Sequence, residues 1–249
     1  MISTIYIMWL RQIKRYLHSK VRMISMLGQP ILFLVALGFG FGSMYQKAGG
    51  GNYIEFLAPG IIAMSILFTA MFMGIEVIWD RRFGFLKETL VAPVSRLEIM
   101  IGKTLGGATV ALIQGILVMI ISLFIGFKIP NLLYLPLAII FMFFIALLFT
   151  ALGIAIASRL EDMHAFQLIM NFLIMPIFFL SGALFPLEGL PKIIEIPTKL
   201  NPLTYGVDGL RGTLTGIANT GLILDLIIVI GVTIIISLIG SYLFSKVEI

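Results

Sequence analysis

Three groups of residues in this sequence have types and spacings that could do chemistry. Gly102-Lys103-Thr104 reproduces the last three letters of a phosphate-binding loop. Glu161, Asp162 and His164 lie close enough together to be weighed as metal ligands. Glu76 is the one acidic residue near the interior of a long apolar run, where a carboxylate could relay a proton. Each group fails on its surroundings. A working phosphate loop needs a glycine five residues before Gly102, so that successive backbone N–H groups face the phosphates, and it needs a strand leading in. Leu97 holds that position, and Ser95 with Glu98 forms an S-x-x-E capping box that starts a helix instead. The Glu161–His164 group reads as solvated polar residues of a short loop, so no metal is expected. Glu76 reads as an interfacial carboxylate pairing with Arg81 or Arg82. No G-x-S-x-G is present, so no catalytic residue is expected.

The elements that must position these residues follow from the solvent they need. Of 249 residues, 60% are hydrophobic and only 12% charged, with a mean hydropathy of +1.11. Soluble domains carry about 25% charged residues, so water cannot be the main solvent. Charge-free windows cover 23–46, 56–75, 104–127, 129–158, 165–187 and 226–245. Each is about as long as a helix must be to cross a hydrocarbon core of roughly 30 Å. The class expected is an all-α integral membrane protein with six transmembrane helices, at about 24–45, 56–78, 104–127, 132–157, 165–186 and 223–245. Pro130-Asn131 is a turn, which starts the fourth span near Leu132.

Residues 1–22 form a separate amphipathic unit, and 23–249 the six-span domain. Ile2, Ile5, Tyr6, Trp9, Ile13, Tyr16 and Leu17 recur at helical spacing, with Arg11, Lys14, Arg15, His18 and Arg22 opposite. Such a helix belongs in the headgroup layer. With the N-terminus inside, twelve Lys and Arg fall on inner segments and five on outer ones. That bias puts both termini in the cytoplasm. It also explains the net charge of +5 as membrane topology, so no nucleic acid is expected as a partner. With no cysteine in the chain, disulfides are excluded.

Between spans two and three, residues 80–92 suit a short helix of mixed charge ended by Pro93, with a corner at Ala92-Pro93-Val94. The segment 188–221 is divided by prolines yet apolar, and reads as an outer re-entrant hairpin. In it Asn201-Pro202 starts a helix, and Asp208 and Arg211 form an i,i+3 pair. Gly102 with Gly106, and Gly38 with Gly42, have the G-x-x-x-G spacing of helix packing faces. Thr69, Gln114, Gln167 and Asn171 are uncharged polar groups within the spans and could line a substrate path. Abundant phenylalanine and methionine, 20 and 14 residues, would suit amphipathic cargo.

The chain resembles the type-2 class of ABC transporter permeases, the membrane subunits of daunorubicin-resistance-type exporters. The resemblance spans LAPGIIAM, DRRFGFLKETLVAPVSRLEIMIGK, FFLSGALFPLEGLP and NPLTYGVDGLRG in that order. It implies a cytoplasmic coupling helix from Asp80 to Pro93, seated on a separate ABC ATPase subunit. Asp80, Arg81, Arg82, Gly84, Lys87, Glu88 and Pro93 would serve that coupling. Phe83 stands where the family pattern often has an acidic residue. The resemblance also implies an outer gate that includes Pro186, Pro191, Asn201, Pro202, Tyr205 and Arg211. Two ATPase copies would carry ATP and magnesium, this chain none, and the permease would pair with a second copy of itself in the cytoplasmic membrane. Export of a hydrophobic or amphipathic substrate (drug, lipid or glycan-like) is the activity implied. The alternative is an ion- or proton-coupled secondary transporter, which needs charges or broken helices at mid-membrane.

Overall fold

In hydrocarbon a backbone can satisfy its own N–H and C=O groups only within a helix or a closed barrel. This chain uses helices. The computed structural model describes residues 2–47, 51–91, 94–187, 189 and 191–247, and no strand occurs among them. The order is α1 (Ile2–His18), α2 (Lys20–Lys47), α3 (Tyr53–Phe72), α4 (Ile75–Arg82), α5 (Phe85–Val91) and α6 (Arg96–Ile125). Then follow α7 (Leu135–Ala157), α8 (Met163–Phe179), α9 (Lys192–Leu200), α10 (Pro202–Thr215) and α11 (Leu222–Ser245). Among the described residues, five segments are long and apolar enough to cross a membrane: α2, α3 continued by α4, α6, Leu132–Ala157 and α11. α8 is apolar but has 17 residues. The helix expected to reach 186 stops at Phe179, because Gly182, at φ +72°, turns the chain.

Several boundaries are set by side chains that cap free backbone groups. The Ser95 hydroxyl accepts from Glu98 N–H at 3.1 Å and starts α6. Asn131 accepts from Leu133 N–H at 2.9 Å in the turn before α7. Asp162 accepts from His164 and Ala165 N–H at 3.1 and 3.2 Å and starts α8. Those two bonds hold its carboxyl below the usual value. Asn201 accepts from Leu203 N–H at 3.0 Å and starts α10 at Pro202.

α3 is the buried centre, packed by α2, α6, α7 and α10. Its continuation into α4 passes α7 where two glycines meet. A Cβ on Gly74 would lie 2.3 Å from the Gly153 carbonyl oxygen, and one on Gly153 would lie 2.4 Å from that of Met71. Those are backbone atoms, so only glycine allows the crossing.

The G-x-x-x-G face of α6 receives α1. A Cβ on Gly102 would come within 2.6 Å of Met8 Cβ and 2.9 Å of the Ile5 carbonyl oxygen. One on Gly106 would come within 2.7 Å of Gln12 Cβ. Met8, Gln12 and Tyr16 form the buried stripe of α1. Trp9 Nε1 donates to Thr109 at 3.0 Å, and Tyr16 OH to Gln114 at 2.5 Å. The expected apolar face is only partly covered, since Ile2, Tyr6 and Leu17 remain exposed. Of the second glycine pair, a Cβ on Gly38 would lie 3.2 Å from Ile54 Cγ1, whereas Gly42 has open space around it. Gly42 is therefore not a packing position within this chain.

The groove on α6 generates a prediction. Gly102→Val should force α1 off its seat and cost about 1–3 kcal/mol, the usual range for overpacking. Gly231→Ala, in open space on α11, should stay within about 1 kcal/mol of wild type. Thermal unfolding in detergent, with trypsin cleavage at Lys14 and Arg15 as the readout for α1, checks both.

Candidate functional site

One end of the bundle buries three charged residues, Glu76, Asp80 and Lys103. Asp80 and Lys103 are 3% and 2% exposed and form an ion pair. Arg11 forks onto the same carboxylate at 3.0 and 2.7 Å, the bidentate arrangement a guanidinium favours. Glu76, one turn before Asp80 on α4, pairs with Arg22 at 3.3 Å and Arg15 at 3.7 Å. The cluster therefore joins α1, α2, α4 and α6. It also reaches α5, since the Arg11 guanidinium lies 3.5 Å from the centroid of the Phe85 ring, a cation–π contact.

This answers the phosphate-loop question structurally. The lysine of Gly102-Lys103-Thr104 neutralises Asp80, in the middle of helical backbone. Glu76 does not pair with Arg81 or Arg82, as the sequence suggested. Arg81 instead donates to the carbonyls of Ser158 at 3.0 Å and Leu160 at 3.4 Å, closing the C-terminal end of α7, where a helix dipole favours a cation. Arg96 does the same for α11, donating to Val247 O at 3.0 Å.

The residues expected to couple to an ATPase separate into two sets. Asp80 and Arg81 face inward, as described. Arg82 and Glu88 are exposed, and Lys87 falls within α5. The single helix expected over 80–92 is in fact two, α4 and α5, broken at Phe83-Gly84 because Gly84 adopts φ +80°. Pro93 and Ala92 lie outside the described residues. The outward side of this elbow carries Phe83, 74% exposed, set edge-on to the half-exposed Trp79 at 6.2 Å. Sequence reasoning missed this aromatic pair, although its i,i+4 spacing was readable.

The candidate path residues are not brought together. Thr69 lines a cavity of about 190 Å³ with Ser65 and Gln29, between α2 and α3. Gln114 is buried and bonded to Tyr16. Gln167 and Asn171 lie one turn apart on the exposed side of α8.

At the far end of α3, about 35 Å away at 1.5 Å per residue, a cavity of about 950 Å³ opens between the ends of α2 and α3, the turn after α8, and α9–α10. Pro186, Tyr205, Asp208 and Arg211 line it. Pro191 precedes α9, and Asn201 and Pro202 form the α9–α10 corner. Asp208 and Arg211 do not form the expected ion pair. The Asp208 carboxylate accepts from the N–H groups of Asn219 and Thr220 at 2.8–3.0 Å. Arg211 instead donates from Nη2 to Gly182 O at 2.9 Å and Phe56 O at 3.4 Å. Its guanidinium stacks 4.0 Å from the Phe56 ring centroid. Burial pushes Arg211 down to about 10, so it stays charged at neutral pH. Among the described residues, no three acidic or histidine side chains gather as a metal site would require.

Residues 3–215 match the family model described as ABC-2 type transporter. The chain is 31% identical over 207 residues to ycf38 of Cyanophora paradoxa, covering 80% of this chain and 69% of that protein. It is 30% identical over 204 residues to nodulation protein J of Rhizobium leguminosarum bv. trifolii, covering 80% and 77%. To the inner membrane transport permease YadH of Escherichia coli K12 it is 28% identical over 218 residues, covering 86% and 84%.

The ionic cluster predicts an ordered set of stabilities. Asp80→Asn strands Lys103 without an anion and should cost about 3–5 kcal/mol. Lys103→Met leaves Asp80 paired with Arg11 and should cost less. The double variant should recover part of the loss, measured as thermal unfolding of the purified chain. A double variant no more stable than Asp80→Asn would show that Lys103 does not depend on that carboxylate.

Proposed function

We propose a function from one premise: this chain belongs to the ABC-2 type transporter family. It is a membrane permease subunit of an ABC transporter, a transport component whose family works with an ABC ATPase. ATP and magnesium belong to that partner, whose hydrolysis this chain converts into movement. In the proposed topology both termini and the α4–α5 elbow face the cytoplasm. Two ATPase copies seat on two elbows, contacting Phe83, Arg82 and Glu88, and a second permease copy completes the complex. The substrate proposed is hydrophobic or amphipathic, and it moves outward.

The observation that carries this reading is the exposed elbow tied to a buried charge cluster. A docking surface needs an aromatic anchor with polar groups around it, and Phe83 with Arg82 and Glu88 supplies both. Arg11 grips Phe85 of α5 while its other contacts lead to α4 and, through Asp80, to α6. A push on the elbow therefore meets a stiff connection. The second copy is supported by α8, which exposes the amides Gln167 and Asn171 beside Leu168 and Phe172. In hydrocarbon such amides gain most from a partner helix or a passing polar group.

Phe83→Asp and Glu88→Lys test the elbow. Both side chains are exposed, so membrane insertion and thermal stability should match wild type. Loss of a docking anchor of roughly 1–3 kcal/mol should weaken co-purification of the ABC ATPase about ten- to a hundredfold, with a parallel loss of ATP-driven transport. Unchanged ATPase binding in both variants, or ATP hydrolysis by the purified permease alone, would overturn the reading.

A further inference from the structure

We infer that Arg211 is the anchor of an oxyanion site, built to take the phosphate of a lipid headgroup in the cavity at the end of the bundle remote from the ionic cluster. The argument begins with unmet hydrogen-bonding capacity. A guanidinium carries five N–H bonds. Among the described residues only Nη2 of Arg211 has protein acceptors, which leaves its Nε and Nη1 groups without any there. Arg211 is 7% exposed, and among the described residues no carboxylate is ion-paired with it. A charge buried in that state costs several kcal/mol unless an anion completes it.

The neighbouring acids do not fill the role. Asp208, three residues earlier on α10, attracts the guanidinium without ion-pairing to it, and its carboxylate is already engaged by the two N–H groups of Asn219 and Thr220. Glu195 of α9 is paired with Lys199 at 2.6 Å. Glu55 of α3 accepts from the Asn52 side chain at 3.3 Å. Glu55 and Glu195 nonetheless line the cavity, so its wall carries separated positive and negative groups. A phosphate that bears an amine or hydroxyl neighbour matches such a wall better than a bare polyanion does.

Position supplies the second argument. Tyr45, Tyr53 and Phe56 form a ring cluster beside the cavity, with centroids 5.0–6.1 Å apart. Tyrosines gather in this way at the depth of lipid headgroups. The cavity, at about 950 Å³, is as large as ligand sites become, so it accommodates a headgroup with room for its linkage. The site requires neither a direction of transport nor a particular cargo, and it stands apart from the elbow.

The test uses the full chain, delipidated in detergent. Short-chain phosphatidylglycerol and phosphatidylethanolamine, inorganic phosphate, and a short-chain diacylglycerol without phosphate are titrated, read by native mass spectrometry and thermal shift. The phospholipids should bind and stabilise wild type, and the diacylglycerol should not. Arg211→Gln should weaken phospholipid binding by at least about tenfold, as expected for losing a charged hydrogen bond. Arg211 also holds the Gly182 and Phe56 carbonyls, so that variant could fold poorly. Ile217→Glu is therefore the second arm, because it places a carboxylate at an exposed residue of the same cavity and leaves those bonds intact. It should weaken binding comparably. If inorganic phosphate alone binds with the same sensitivity to both variants, the oxyanion site stands and its source is free phosphate. Equal phospholipid binding by wild type and Ile217→Glu, or no binding of any phosphate compound to wild type, overturns the inference.

Discussion

Charge removed from water has to be matched, and the matching of Asp80 by Lys103 and Arg11 organises one whole end of this protein. Attraction between such groups grows severalfold as the effective dielectric falls from that of water toward about 20, while an unmatched buried charge is unfavourable by several kcal/mol. The consequence is geometric. Lys103 reaches Asp80 only if α4 and α6 pass each other at that level. Arg11 reaches it only if α1 lies in its groove on α6. Arg15 and Arg22 then fall beside Glu76, which fixes where α1 hands over to α2. One carboxylate and its neighbour one turn away thus set the positions of four helices.

Ion pairs give direction but little stiffness, and the stiffness comes from glycine. At Gly74 and Gly153 two backbones approach so closely that no side chain fits, and at Gly102 and Gly106 the same holds for α1 on α6. In a membrane, where lipid is as apolar as any side chain, such close packing is a main source of helix association. The two devices occur together. Gly102 is adjacent to Lys103, and Gly74 is two residues from Glu76. Displacing either backbone would therefore break contacts and ion pairs at once.

Five of the expected spans, the caps at Ser95 and Asn201, and the packing face at Gly102-Gly106 were legible because each rests on local rules: apolar length, side-chain capping and residue size. The partners of charged residues were not. Sequence placed Arg81 and Arg82 nearest to Glu76, yet Arg15 and Arg22, more than fifty positions away, hold it. Proximity in sequence fails here because Arg81 lies where the open carbonyls at the end of α7 can take it. Asp208 and Arg211 show the same effect. Their i,i+3 spacing suited a pair, but backbone groups of the 219–220 turn and of Gly182 offered bonds to each. The helix expected over 80–92 broke at Gly84, whose positive φ serves a turn that composition alone could not locate. Of the four polar path residues only Gln167 and Asn171 share a surface; a helical wheel gives a residue's side but not the helix that faces it.

The two ends of the bundle are held by different means, and this bears on how motion would pass through. Near Asp80 the helices are joined by charged, directional contacts that link α1, α2, α4, α5 and α6. At the other end, Asn201 and Tyr205 each bond to one backbone carbonyl and Arg211 to two, around a large cavity. Bonds to neutral carbonyls are weaker than ion-paired ones, and a cavity removes the packing that resists displacement. A force applied at the elbow would therefore move the charged end as a unit. The strain would collect where the structure is most open, along α9, α10 and the turn at Ser181-Gly182. That turn leans on α3 through Gly60, where a Cβ would lie 2.2 Å from the Ala183 carbonyl oxygen. α3 thus carries the contact with the far turn, and its continuation α4 carries the glutamate and aspartate of the hub, which makes α3 with α4 the element through which one end can sense the other.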